Sequence, residues 1–103
     1  LSSGEIIMQV FNTEEITNKI QELNSWSFEN EQLVKKITLS NFIQAVGVFN
    51  MIAMEAEKMD HHPTIENTYN QLTILLSTHD PKGITSKDFD LAGKIDTIVE
   101  SFS

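Results

Sequence analysis

In LVKKITL, residues 33–39, and SNFIQAVGVFNMIAMEAEK, residues 40–58, the spacing of the apolar side chains changes from that of a strand to that of a helix. From Leu33 to Leu39 alternate side chains fall on alternate faces, which predicts a strand packed on one side. Ser40 is a residue type that caps helices, and a central helix is predicted from Asn41 to about Lys58. A strand that leads into a long apolar helix indicates a sheet covered by helices.

The upstream segment predicts a helix and a first strand. Asn12 and Glu15 have the spacing of a capping box, and Phe11 is placed to pack on Ile16, so a helix begins after Asn12. Trp26 to Glu29 is the first strand, joined to Leu33–Leu39 by the polar residues 30–32.

The downstream segment predicts a hairpin and a last helix. Ile65 to Tyr69 and Leu72 to Thr78 are strands joined at residues 70–71, and a loop covers residues 79–83. Thr85 caps the last helix, with Asp88 at the capping-box position. The order of these helices and strands along the chain predicts an α+β domain over residues 1–103. We expect a four-stranded antiparallel sheet with three helices packed on one face.

Composition and charge exclude several classes of function. The 103 residues carry a formal charge of -8, from 15 acidic residues and 7 basic ones, all of them lysine. Direct nucleic-acid binding needs a cationic surface, so it is not expected. No apolar run is long enough to cross a bilayer, and Leu1 to Phe11 has no basic start, so we expect no membrane contact and a cytoplasmic location, with a nuclear one also open. The lack of cysteine excludes disulfides and thiolate chemistry.

The central helix is apolar around most of its circumference, which is wider than one core contact requires. The surplus surface predicts a homodimer or homotetramer with part of Phe42 to Met54 in the interface. A charge on that surface, for example Val48→Glu, is expected to dissociate the oligomer, although the sequence leaves open which way Val48 faces.

All three histidines fall in a short part of the chain, at His61, His62 and His79. Imidazole titrates near neutral pH, so this clustering indicates a proton-transfer site where two loops meet. Pro63 keeps His62 extended, so that the two neighbouring rings point in different directions. We therefore expect no shared metal ion.

These residues belong to a longer pattern. Glu57, His61, His62, Pro63, Tyr69, His79 and Asp88 occur together with the helical segment from Phe42 and with Leu91-Ala92 and Ile95. In this pattern the chain resembles the pterin-4a-carbinolamine dehydratases, also called dimerisation cofactors of a homeodomain transcription factor. It departs from that family at Thr64-Ile65, where many members have an acidic residue and an aromatic one.

The resemblance implies a lyase that dehydrates 4a-hydroxytetrahydrobiopterin, or a related pterin, to quinonoid dihydropterin in tetrahydrobiopterin recycling, without metal or organic cofactor. It implies catalysis by His61, His62, His79 and Asp88, with His62 and His79 as the leading acid-base pair. Glu57 is a candidate orienting residue, and Tyr69 is expected to pack. The residues expected to contact the pterin are Asp60, His61, His62, Ser77, Thr78, His79 and Asp80.

The alternative, from a different class of protein, is a binding module. Some members of the family stabilise dimers of a transcription factor, and the apolar surface of the central helix suits that role as well as self-association. The sequence leaves open which pterin and pathway are served, how the histidines divide the acid and base roles, and whether a coactivator role exists.

Overall fold

The structure, a computed structural model, describes residues 8–102. Residues 1–7 and Ser103 lie outside the described residues. The two ends of the predicted domain therefore also lie outside them, as does most of the Leu1 to Phe11 segment, in which we expect no leader. The elements are α1 Thr13–Lys19, β1 Ser27–Glu29, β2 Gln32–Thr38, α2 Phe42–Met59, β3 Thr64–Thr68, β4 Gln71–Leu76, β5 Thr78–His79, β6 Lys82–Gly83 and α3 Ser86–Glu100, with a 3₁₀ turn at Ile20–Glu22.

The main sheet has four antiparallel strands in the order β1-β2-β4-β3. In its centre Leu33 lies opposite Leu76 and Ile37 opposite Leu72. These side chains are buried on one face, whereas the other face carries exposed residues such as Lys36. The predicted α+β class, a four-stranded antiparallel sheet with three helices, is confirmed.

The two predicted capping boxes are present. Asn12 and Glu15 exchange side-chain and backbone hydrogen bonds at the start of α1, and Thr85 and Asp88 do so at the start of α3. The cap of α2 is Asn41 rather than Ser40, because Asn41 Oδ1 accepts from the Gln44 N–H at 2.8 Å. Ser40 instead donates its own N–H to the Gln44 side chain.

The central helix divides into a buried face and an apolar exposed face. Val48 is fully buried in the core of its own chain, so the expectation that Val48→Glu would act on an oligomer interface is wrong; the charge would disrupt the core instead. The exposed apolar side chains lie elsewhere on the helix and are Phe42, Ile43, Val46 and Met54.

A buried ionic cluster ties α3 to the sheet. Lys35 lies on the packed face of β2 and donates to Asp96 Oδ1 at 2.7 Å and to the Asn24 carbonyl at 2.6 Å. Trp26 Nε1 donates to the same carboxylate oxygen at 2.8 Å, and the Asn24 N–H donates to Oδ2. The position of Lys35 on β2 places its ammonium group in the core. The cluster supplies that buried charge with an anion and with hydrogen-bond acceptors.

Two local predictions differ from the structure. Part of the predicted loop 79–83 is paired, since β5 and β6 form a small antiparallel hairpin in which His79 lies opposite Lys82. Tyr69 occupies the β3–β4 turn with φ of 51° and is 64% exposed, so its predicted packing role is wrong. Among residues 8–102 no helix has both the length and the apolar character that a membrane crossing requires.

Candidate active site

The end of α2 directs the two adjacent histidines apart. Asp60 has the left-handed conformation, with φ 52° and ψ 44°. Its N–H bonds to the Glu57 carbonyl, and the His61 N–H bonds to the Ala56 carbonyl at 3.0 Å, which is the pattern of a Schellman cap. The chain therefore turns sharply before His61, whose side chain is buried, while that of His62 is exposed.

His61 forms a buried pair with the first turn of α3. Its Nε2 lies 2.6 Å from Asp88 Oδ1, and the Asp88 side chain is completely buried. Asp88 was expected at the capping-box position of α3 and also in the catalytic set, and its two oxygens contact the cap and His61 respectively. One carboxylate oxygen contacts His61, and the other accepts from the Thr85 N–H at 2.9 Å.

A hydroxyl chain fixes the other side of Asp88. Thr78 Oγ1 donates to Asp88 Oδ2 at 2.8 Å and lies 2.7 Å from Thr85 Oγ1. Because the Thr78 hydroxyl has only one proton, Thr85 must be the donor to Thr78. An ionised carboxylate can only accept hydrogen bonds, so His61 Nε2–H donates to Asp88 Oδ1, which leaves Nδ1 of that ring as an acceptor.

His62 has a carboxylate partner at the surface. Its Nε2 lies 2.8 Å from Glu57 Oε1, across one turn at the end of α2. The two side chains are 59% and 79% exposed, so water weakens this contact much more than the buried one. The Glu57 contact therefore restrains the His62 ring only weakly.

The residues predicted to contact the pterin line one cleft of about 260 Å³, between the end of α2 and the β4–β5 segment. His79 lies there on β5 with its side chain exposed. The lining consists of Asp60, His61, His62, Ser77, Thr78, His79, Asp80 and Lys87. Asp88 lies behind this surface, in contact with His61 and Thr78.

The sequence reasoning missed Lys87, a cationic residue of the cleft surface. Its position immediately before Asp88, in the first turn of a helix already predicted to start at the site, could have indicated it. Within residues 8–102 no group of three histidine or carboxylate side chains is arranged to hold a metal ion.

The chain matches the sequence model of one known family. The sequence model of the family described as "Pterin 4 alpha carbinolamine dehydratase" matches residues 9–98 of the chain. The chain belongs to this family.

Curated relatives extend over nearly the same length as this dehydratase-family chain. A Christiangramia forsetii protein, named provisionally as a pterin-4-alpha-carbinolamine dehydratase, is 41% identical over 95 residues, which cover 92% of this chain and 98% of the relative. A Solibacter usitatus protein with the same provisional name is 44% identical, over 82% of this chain and 88% of its own length.

Solved structures share the fold. A crystal structure of a "transcriptional coactivator/pterin dehydratase" from Brucella melitensis superposes with a TM-score of 0.85 at 29% identity, covering 88% of this chain and 99% of that one. A pterin dehydratase-like protein described as a RuBisCO assembly factor of the alpha-carboxysome gives 0.64 at 18% identity, covering 74% and 90%, and this likeness shows the fold alone.

Proposed function

We propose that this family member dehydrates 4a-hydroxytetrahydrobiopterin, or a closely related 4a-hydroxytetrahydropterin, to the quinonoid dihydropterin, in tetrahydrobiopterin recycling. Family membership supports the reaction class. The observation that carries the proposal is the single cleft in which His61, His62 and His79 converge, with His61 paired to a buried carboxylate.

The reaction removes one water molecule across the N5–C4a bond. The C4a–O bond breaks and the hydroxyl leaves as water after receiving a proton, while the N5–H proton passes to a base and an N5–C4a double bond forms. Both proton transfers suit groups that titrate near neutral pH, and each typically contributes about 10²- to 10⁴-fold to the rate. The reaction needs no redox partner, since no electrons are gained or lost.

The exposed histidines suit the acid and base roles. His62 and His79 are open to the cleft and to water, so they can exchange protons with the substrate and then with solvent. His61 is held by Asp88 and is the ring with the most fixed position, which suits orientation of the substrate or sharing of its proton. The polar groups of Asp60, Ser77, Thr78 and Asp80 supply hydrogen bonds for the pterin ring in this scheme.

Stopped-flow measurement of 4a-hydroxypterin breakdown tests the proposal. The wild-type protein is expected to accelerate the spontaneous dehydration many-fold and to form the quinonoid product. Dehydration at the uncatalysed rate at micromolar protein would reject the enzyme function.

The exposed apolar surface of α2 favours a second candidate function in protein association. Phe42 is 48% exposed and Ile43 is 76% exposed, and the exposed Val46 lies one turn further along the helix, so these apolar side chains are neighbours on its surface. This surface supports a homodimer or homotetramer formed through α2, and it is also the surface on which a transcription-factor partner would dock in the binding-module alternative.

Two sets of variants separate catalysis from association. His62→Ala with His79→Ala changes two exposed cleft residues and is expected to abolish dehydration without changing the oligomeric state. Ile43→Glu is expected to yield monomers in sedimentation experiments. A stable wild-type monomer would reject the oligomer, and loss of the oligomer in the histidine variant would make those residues structural.

His61→Ala is not suitable for this purpose. It would leave the buried Asp88 carboxylate without one partner and would therefore destabilise the fold as well as the site.

A further inference from the structure

Lys87 differs from the other lysines of the chain in its surroundings. Lys35 is buried and paired with Asp96, and the rest are exposed. Lys87 is half-buried in the wall of the candidate active-site cleft, yet its side chain makes no hydrogen bond or ion pair within residues 8–102. The three N–H donors of its ammonium group are therefore available to a ligand.

The helix gains nothing from a lysine at this position. Lys87 is the second residue of α3, where the positive end of the helix dipole disfavours a cation. Partial burial of an ammonium group without an anion adds a further cost. The next residue, Asp88, makes no ion pair with it, because both carboxylate oxygens are directed at other groups. Departures from local rules are expected at functional sites, so the position of Lys87 indicates a role in ligand binding.

Most polar side chains of the cleft accept hydrogen bonds rather than donate them. The ionised carboxylates of Asp60 and Asp80 can only accept. The Thr78 hydroxyl is no longer available as a donor, because its proton is directed at Asp88 at 2.8 Å. These acceptors suit the N–H groups of a ligand, and they repel an oxygen atom that meets no donor.

Few donors remain for an acceptor atom of the ligand. The Nε2–H of His61 already donates to a carboxylate. In the proposed reaction His62 and His79 act at N5 and at the C4a hydroxyl. The uncommitted side-chain donors of the cleft are therefore the hydroxyl group of Ser77 and the ammonium group of Lys87, and only the second carries a charge.

The pterin ring presents both kinds of hydrogen-bonding group. Its N3–H and 2-amino groups donate, which suits the carboxylates of the cleft. Its carbonyl oxygen at C4 accepts, and C4 is bonded directly to the reacting carbon C4a. A hydrogen bond from an ammonium group to this oxygen is charge-assisted, and such bonds are roughly twice as strong as those between neutral groups.

We infer that Lys87 binds the carbonyl oxygen at C4 of the pterin, selects a 4-oxo ring over a 4-amino ring and holds the reacting carbon beside the histidines. This inference rests on the proposed dehydratase function, since it takes a pterin as the ligand of the cleft. It assigns to Lys87 a binding role and no proton transfer.

Isothermal titration calorimetry with two unreactive ligands tests the inference. One ligand is 7,8-dihydropterin, and the other is its 2,4-diamino counterpart, in which an amino group replaces the oxygen at C4. The variant is Lys87→Met, which is similar in length but has neither charge nor donor. Loss of the charged hydrogen bond should raise Kd for the 4-oxo ligand about tenfold, whereas Kd for the 4-amino ligand should not rise.

Two further variants make the result specific. Lys94→Met makes the same substitution in the same helix at an exposed residue outside the cleft, and it should keep the wild-type Kd for both ligands. Lys87→Arg keeps a charged donor and should restore most of the preference for the 4-oxo ligand. Equal losses in the Arg and Met variants would reject a contact made by the charge of Lys87.

The outcomes distinguish this inference from the proposed function. Tight binding of the 4-oxo ligand to the wild-type protein, with the same ratio of the two Kd values in folded Lys87→Met, would reject the Lys87 contact alone. An equal weakening of both ligands would make Lys87 a structural residue and would reject the contact as well. No binding of either ligand to the wild-type protein would reject a pterin as the ligand of the cleft, and the proposed function with it.

Discussion

Replacement of Asp88 by asparagine probes the link between the fold and the chemistry of the site. The change keeps the size of the side chain but exchanges one acceptor oxygen for a donor group. The remaining oxygen can still accept from Thr78 and from the Thr85 N–H, so the new amide faces His61. His61 Nε2 then has to accept, and its proton moves to Nδ1.

The cost to stability follows from the three hydrogen bonds that the carboxylate accepts. A bond to a charged group contributes about 1.5–3 kcal/mol and a neutral one about 0.5–1.5 kcal/mol, so each bond loses roughly 1 kcal/mol. Relief of a buried charge offsets part of this loss. We expect a net destabilisation of about 2 kcal/mol, or a melting temperature lower by roughly 10 °C.

The cost to turnover is expected to be larger, because the free nitrogen of His61 changes from an acceptor to a donor. Stopped-flow turnover at a temperature where the variant is folded should fall at least about 10²-fold. Asp90→Asn, an exposed change in the same helix, is the control and should behave like wild type. Wild-type turnover in folded Asp88→Asn protein would show that the His61–Asp88 pair is purely structural.

Three further predictions concern the Glu57 contact, the Lys35–Asp96 pair and the removal of metal ions. Glu57→Gln should lower turnover less than tenfold, because the His62 contact is exposed to water; a loss as large as that of Asp88→Asn would contradict this ranking. Asp96→Asn should cost about 3–5 kcal/mol in chemical denaturation, since it leaves the Lys35 charge buried without its anion, and should not change kcat of the folded protein; an unchanged unfolding midpoint would show that the cluster contributes nothing. Exhaustive chelation should leave dehydration intact, and restoration of a lost activity by added zinc would revive a metal mechanism.

Local signals in the sequence predicted much of the fold. The capping boxes at Asn12 and Thr85 involve groups within four residues of each other, so the residue types alone determine them. The alternation of side chains from Leu33 to Leu39 is also a local pattern, and it predicted the buried face of β2. The exact cap of α2 was missed because Ser40 and Asn41 are both good caps, and only the position of the Gln44 N–H distinguishes them.

Contacts between distant residues could not be predicted in this way. Lys35 and Asp96 are 61 positions apart, and nothing local to either indicates the ion pair that keeps a lysine in the core. The orientation of Val48 depends on how α2 is rotated against the sheet, which a helix with apolar residues on nearly all sides does not specify. The β5–β6 hairpin is too short to produce a periodic signal.

In the candidate site, too, the local pattern could be predicted and the contacts between distant residues could not. The pattern Asp60-His61-His62-Pro63, with His79 and Asp88, identified every residue that lines the cleft except Lys87, through the resemblance to a family. The arrangement of these residues in the cleft depends on two features that their spacing in the sequence does not specify. One is the left-handed turn at Asp60, and the other is the pairing of His61 with Asp88 across 27 positions.

In the proposed mechanism, the cleft histidines transfer the protons of a pterin dehydration. The most direct measurement is the stopped-flow turnover of 4a-hydroxytetrahydropterin by the His62→Ala variant, with its fold verified by circular dichroism. His62 is exposed, so its replacement should leave the structure intact, and loss of an acid-base group should lower turnover at least about 10²-fold. Turnover equal to that of wild type in the folded variant would show that His62 transfers no proton in the reaction.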